Sequence, residues 1–138
     1  MKRRTIEKEV SLSGIGLHKG ENINLTLKPN GDDSEVGRGI IFKRIDKDNI
    51  IKVDYKNLFD LERGTNIKNE ADVKVHTIEH FMSSLSVSGI TDILVEINGN
   101  ELPILDGSSI QFMEKLEEAG IKAIRKEGYR EGNWILID

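Results

Sequence analysis

Cysteine is absent from the 138 residues, so no disulfide, thiolate metal site or thiol nucleophile is available to this chain. Histidine is nearly as scarce, and a bound metal would have to be held by His18, His76 or His80 together with carboxylates. No apolar run approaches the ~20 residues of a membrane span. The opening MKRRTIEKEV is charged throughout and lacks the apolar segment of a secretory signal. A cytoplasmic protein is the expectation. Only two prolines occur, with no Pro-, Ser- or Gln-rich linker and no internal repeat, so nothing divides the chain into many units. At 138 residues, against roughly 150 for one domain, one compact domain or two very small ones are the economical readings. Charge is plentiful but balanced: 20 basic and 24 acidic residues, interspersed, give a net charge of −4. Without a basic surface interleaved with aromatics, nucleic acid is not an expected partner.

Nineteen isoleucines against three alanines make a composition suited to strands, because β-branched side chains pack well on a pleated surface. Strands are predicted at Thr5 to Val10, Asn22 to Leu27, Gly39 to Ile45, Ile50 to Tyr55 and Asp92 to Ile97. In the second of these, Ile23, Leu25 and Leu27 alternate with Asn22, Asn24 and Thr26, the mark of a sheet with one buried face. Asn98-Gly99-Asn100 predicts a hairpin to a further strand over Glu101 to Ile104. Two helices are expected. One runs from about Thr77 to Ser86, with Ile78, Phe81, Met82 and Leu85 forming an apolar stripe and Glu79, His80 and Ser83 on the far side. The other starts at Ser108, carries Ile110, Phe112, Met113 and Leu116, and stops at Gly120. The fold class that follows is α+β: a two-layer βα sandwich with one mixed sheet covered on one face by two helices.

Several segments could carry chemistry. His76-Thr77-Ile78-Glu79-His80 matches H-x-x-E-H, the inverted zinc-protease pattern, although a third ligand would have to be a carboxylate. The glycines of Ser13-Gly14-Ile15-Gly16-Leu17-His18-Lys19-Gly20 could let backbone approach a ligand, but their spacing misses the dinucleotide fingerprint. Arg63-Gly64-Thr65 reads as a turn whose Arg63 could meet an anion or simply be solvated, and Asp106 before a helix is stabilising in its own right.

Taken together, Arg4-Thr5-Ile6, Gly14-Ile15-Gly16-Leu17-His18, Arg63-Gly64-Thr65, Thr77-Ile78-Glu79-His80, Glu101-Leu102-Pro103-Ile104-Leu105-Asp106-Gly107-Ser108 and Glu118-Ala119-Gly120-Ile121 resemble the N-terminal domain of UDP-3-O-acyl-N-acetylglucosamine deacetylases, the family that commits sugar nucleotide to lipid A. The resemblance implies a ribosomal S5 domain 2-like fold, a zinc amidohydrolase of two similar domains, and an active site between them. Carried over by residue, His80 is a zinc ligand, Glu79 is the catalytic base, and Leu17 and His18 lie against substrate; His76 and Arg63 receive no settled role. The remaining zinc ligands and a further catalytic histidine belong to the family's second domain. Residues 1–124 correspond to the first domain and 125–138 to a linker and the first strand of the second, so this polypeptide by itself is expected to be inactive. An isolated half should expose its inter-domain face and self-associate through the Glu79/His80 side. Two other functions remain open at this point: a non-catalytic binding or regulatory module derived from the domain, and an H-x-x-E-H zinc hydrolase.

Overall fold

The computed structural model describes residues 2–16, 20–59, 64–105, 109–124, 126–130 and 133–137, with backbone only for Tyr55 and for the last two segments. A five-stranded mixed sheet forms the centre. Its strands are β2 (Val10–Ile15), β3 (Asn22–Lys28), β4 (Ile40–Arg44), β5 (Asn49–Lys52) and β9 (Ile93–Ile97), in the order β2-β3-β9-β4-β5. All neighbours are antiparallel except β4 and β9, which run parallel with Phe42 opposite Val95. Alternation does what the composition suggests: Ile23, Leu25 and Leu27 of β3 and Ile93, Val95 and Ile97 of β9 are buried, while their intervening residues are not.

Helices α1 (Glu79–Ser88) and α2 (Ile110–Ala119) pack on each other, and Phe81 is the joint. Its ring stands edge-on to Phe42 of the sheet at 5.9 Å between centroids and to Phe112 of α2 at 5.4 Å. Such pairs contribute about 0.5–1.5 kcal/mol each beyond area burial. The stripe Ile78, Phe81 and Leu85 is buried as expected and Met82 packs partly against it; Ser84, also buried, donates its hydroxyl to the Phe81 carbonyl. Gly89 ends α1 in the left-handed conformation, donating its N–H to the Ser86 carbonyl.

Smaller pairings surround this core. Strand β1 (Arg4–Ile6) pairs with β10 (Ile121–Ala123), bringing residue 4 opposite residue 123. A three-stranded sheet is made of β6 (Leu58–Phe59), β7 (Asn66–Lys68) and β8 (Lys74–Val75). Strands β11 (Lys126–Arg130) and β12 (Asn133–Ile137) form an antiparallel pair. The buried Arg44 ties the main sheet to β8, donating to the Lys74 carbonyl at 2.8 Å while gripping Asp46 with Nε and Nη2. That grip holds the Asp46 carboxyl below the usual carboxylate range.

Three expectations are corrected. The hairpin at Asn98-Gly99-Asn100 does not form, because β9 already has β3 on one side and β4 on the other and offers no free edge. The expected strand Thr5 to Val10 divides into β1 and the start of β2, which belong to different sheets. The first helix starts at Glu79, two residues late, because Thr77 takes a positive φ of 63°.

Candidate functional site

Glu79 and His80 are the first two residues of α1, both half-buried. Their placement depends on the turn before them. A β-branched residue at positive φ, such as Thr77, costs about 1–3 kcal/mol and persists only where surrounding contacts hold it. Here the chain 77–79 is laced to the segment 64–66. The Thr77 N–H donates to Asn66 Oδ1 at 3.0 Å, the Ile78 N–H donates to the Thr65 carbonyl at 3.0 Å, and the Thr65 N–H donates to Glu79 Oε2 at 3.2 Å. Gly64, at φ 111°, lies against the same carboxylate: a Cβ there would stand 3.2 Å from Glu79 Oε1. One carboxylate oxygen is thus pinned by backbone, and the other faces a residue with no side chain.

A second segment, Asn100 to Ile104, connects this turn to the glycine loop. On one side the His76 N–H donates to the Asn100 carbonyl at 2.7 Å and the Leu102 N–H to the His76 carbonyl at 3.1 Å, forming a parallel bridge between His76 and Glu101. On the other, Gly16 bridges Pro103 and the Ile104 N–H donates to the Ile15 carbonyl at 3.0 Å. The stems of the glycine loop close on each other, the Gly16 N–H donating to Glu21 and the Gly20 N–H to Gly16. Glu101, only 3% exposed, lies directly in front of Gly16. The start of α1 and the stems of the 14–20 loop therefore share one rigid crosspiece.

The other sequence-derived candidates separate. His76 lies before the helix, its ring edge-on to Phe59 at 5.5 Å and its Nδ1 3.3 Å from Asn66 Oδ1. Oδ1 also accepts from the Thr77 N–H, and Asn66 Nδ2 donates to the Gly64 carbonyl at 3.2 Å, so the amide is oriented between three partners. Among the described residues no three His, Asp or Glu side chains come together to hold a metal ion. His80, the second residue of α1, stands apart from His76 in the chain's course. Leu17, His18, Arg63 and Asp106 lie outside the described residues. Sequence reasoning passed over Asn66 and gave Thr65 and Glu101 no role of their own within their motifs; the burial of Asn66 and Glu101 is what marks those two, and that is a property of the folded chain. A cavity of about 730 Å³ opens elsewhere, between Pro29–Ser34 and Lys122–Ile124, and none of its lining residues belongs to this site. No helix among the described residues is long and apolar enough to cross a membrane.

Residues 3–131 match the family described as LpxC, UDP-3-O-acyl N-acetylglycosamine deacetylase. The chain belongs to this family. Curated relatives named UDP-3-O-acyl-N-acetylglucosamine deacetylase include proteins of Campylobacter hominis, 43% identical over 122 residues, and Nautilia profundicola, 44% identical over 124 residues. Another, from Idiomarina loihiensis, is 37% identical over 124 residues. These alignments cover 88%, 90% and 88% of this chain but 40%, 41% and 39% of the relatives. The chain thus spans about 40% of the length of the deacetylases it matches, and the mixed sheet with two helices is that family's N-terminal architecture.

Proposed function

We propose that this chain supplies one side of the active site of a zinc-dependent deacetylase that hydrolyses the N-acetyl group of UDP-3-O-acyl-N-acetylglucosamine in lipid A biosynthesis. The observation that carries this reading is the pair Glu79 and His80 on the first turn of α1, with one Glu79 oxygen held by the Thr65 N–H, in a chain of this family. His80, together with ligands outside this chain, would hold the zinc ion, whose contribution would be to polarise the acetamide carbonyl. Glu79 is the general base: it takes a proton from the attacking water and returns it to the departing sugar amine, releasing acetate. The Thr65 contact fixes one oxygen of that carboxylate, leaving the other, beside Gly64, for the proton. Leu17 and His18 of the glycine loop contact substrate.

Within the same reading, residues 1–124 form the N-terminal domain, closed by the β1–β10 pairing, and 125–138 lead into the next. The neighbouring Ile15 and Ile104, 51% and 37% exposed, are apolar surface through which residues 1–138 would self-associate in this reading.

The experiment is reconstitution. Residues 1–138 are co-expressed with the part of the Campylobacter hominis relative outside the matched segment, and acetate release from UDP-3-O-acyl-N-acetylglucosamine is followed. The mixture turns over in a zinc-dependent manner, and Glu79→Gln and His80→Ala each lower the rate at least a hundredfold. Full activity from residues 1–138 alone, or unaltered activity in either variant, overturns the assignment.

A further inference from the structure

We propose that Asn66 is the positioning residue for Glu79: it holds Thr77 at positive φ and so aims the first turn of α1 at the carboxylate's anchor on Thr65. The catalytic role of Glu79 rests on the preceding reading, whereas the positioning itself rests on the contacts.

Three features single out Asn66. First, α1 begins without a side-chain cap: Ile78 occupies the N-cap position and has no capping group to offer, so the direction of the helix has to be set from outside. Second, the residue that turns the chain into α1, Thr77, is in a conformation that favours glycine, and its N–H is held by the Asn66 side chain. Third, the same amide also donates to the Gly64 carbonyl, and so fixes the other wall of the Glu79 carboxylate. Asn66 is 3% exposed and sits at the first position of β7, where a strand side chain stands perpendicular to its sheet. One planar amide therefore links both pieces of backbone between which Glu79 is set. An apolar side chain of the same size would fill the space and leave the Thr77 N–H unpaired, and Thr77 would relax to negative φ, turning Glu79 away from Thr65.

The test reads Glu79 directly in the full 138-residue chain. In the unsubstituted protein, Glu79→Gln shifts the Thr65 amide proton resonance, because it replaces the charged acceptor of that N–H. In an Asn66→Leu background the same substitution leaves the Thr65 resonance unmoved, and adding Thr77→Gly, which adopts positive φ freely, restores the response. In the reconstituted enzyme, Asn66→Leu lowers kcat at least tenfold with KM within twofold, and Thr77→Gly recovers part of it. An Asn66→Leu protein that loses only thermal stability while Thr65 still reports Glu79 overturns the proposal, as does an unchanged kcat. Should Asn66→Leu not fold, Asn66→Ser, whose hydroxyl is too short to reach both partners, serves the same comparison. If reconstitution yields no turnover even without substitution, the functional reading fails, and the Thr65 resonance still decides the role of Asn66.

Discussion

The carboxylate of Glu101 occupies the space in front of Gly16: a Cβ on Gly16 would lie 2.3 Å from Oε1 and 3.0 Å from Cδ. Gly16 cannot retreat, since its N–H, its carbonyl and its bridge to Pro103 are all engaged. Glu101 is buried and has little room to swing aside. Gly16→Ala is therefore expected to destabilise the chain by about 1–3 kcal/mol, the usual cost of overpacking. Urea denaturation measures it, and the cost falls in a Glu101→Ala background; equal costs in both backgrounds would mean that the two residues do not collide.

Arg3 and Asp92 lock the N-terminus onto the main sheet. Arg3 donates through Nε and Nη2 to the two Asp92 oxygens and through Nη1 to Asp32, and the Gly39 N–H and Thr91 hydroxyl complete the shell of Asp92. Burial pushes the Asp92 carboxyl up, but the Arg3, Thr91 and Gly39 hydrogen bonds outweigh it and leave it below its ordinary value. A carboxyl depressed in the folded state stabilises the protein above its unfolded-state value of about 3.9, and the contribution disappears as pH falls through the folded-state value. Asp92→Asn should cost about 3 kcal/mol at pH 7, the low end for breaking a buried pair because Arg3 keeps Asp32. The difference from the unsubstituted chain should narrow below about pH 4. Denaturation curves at pH 7, 5 and 3 check both statements, and a gap that stays constant across them contradicts the linkage.

Phe81 touches the sheet through Phe42 and the second helix through Phe112, so it holds together two layers that share no other ring contact among the described residues. Phe81→Ala is expected to cost about 3–5 kcal/mol, since it removes a fully buried ring that packs against both Phe42 and Phe112 and leaves a cavity between them. Phe81→Leu should cost markedly less. Thermal unfolding of the two variants separates them, and similar losses would indicate that the layers close up regardless.

Metal binding distinguishes His80 from His76. If His80 is the zinc ligand, as the proposed function has it, the chain alone should hold zinc weakly and below one equivalent after dialysis, and His80→Ala should remove that binding. His76→Ala should leave it intact, because the His76 ring is engaged by Asn66 and Phe59 and lies before the helix. Metal analysis by mass spectrometry reads the outcome; equal losses in both variants would point back to an H-x-x-E-H centre.

The apolar stripe of α1 was legible because Ile78, Phe81, Met82 and Leu85 repeat at helical spacing, and that repeat also turned Glu79 and His80 away from the core. Where the helix begins was not. Thr77 is held by an amide eleven residues earlier in the chain, and no local pattern announces such a partner. The strands β6, β7 and β8, two or three residues long, are too short for alternation to show. Asn98-Gly99-Asn100 is a strong local hairpin signal that lost to topology, since both sides of β9 were taken. Asn66 and Glu101 matter through burial and distant partners, neither of which is written in the residues beside them.

The place of β9 in the sheet also bears on how the protein is made. The strands that flank it, β3 and β4, lie far upstream, and neither touches the other. Until residues 93–97 have left the ribosome, the sheet can exist only as two separate hairpins, β2–β3 and β4–β5, each too small to be stable in water. Two exposed apolar ribbons with free edges must then wait through some forty further residues of synthesis, on the order of 2–8 seconds at ordinary translation rates. Ile93–Ile97 is the keystone whose arrival converts them into one sheet, and nascent chains ending before it should be the ones that chaperones retain.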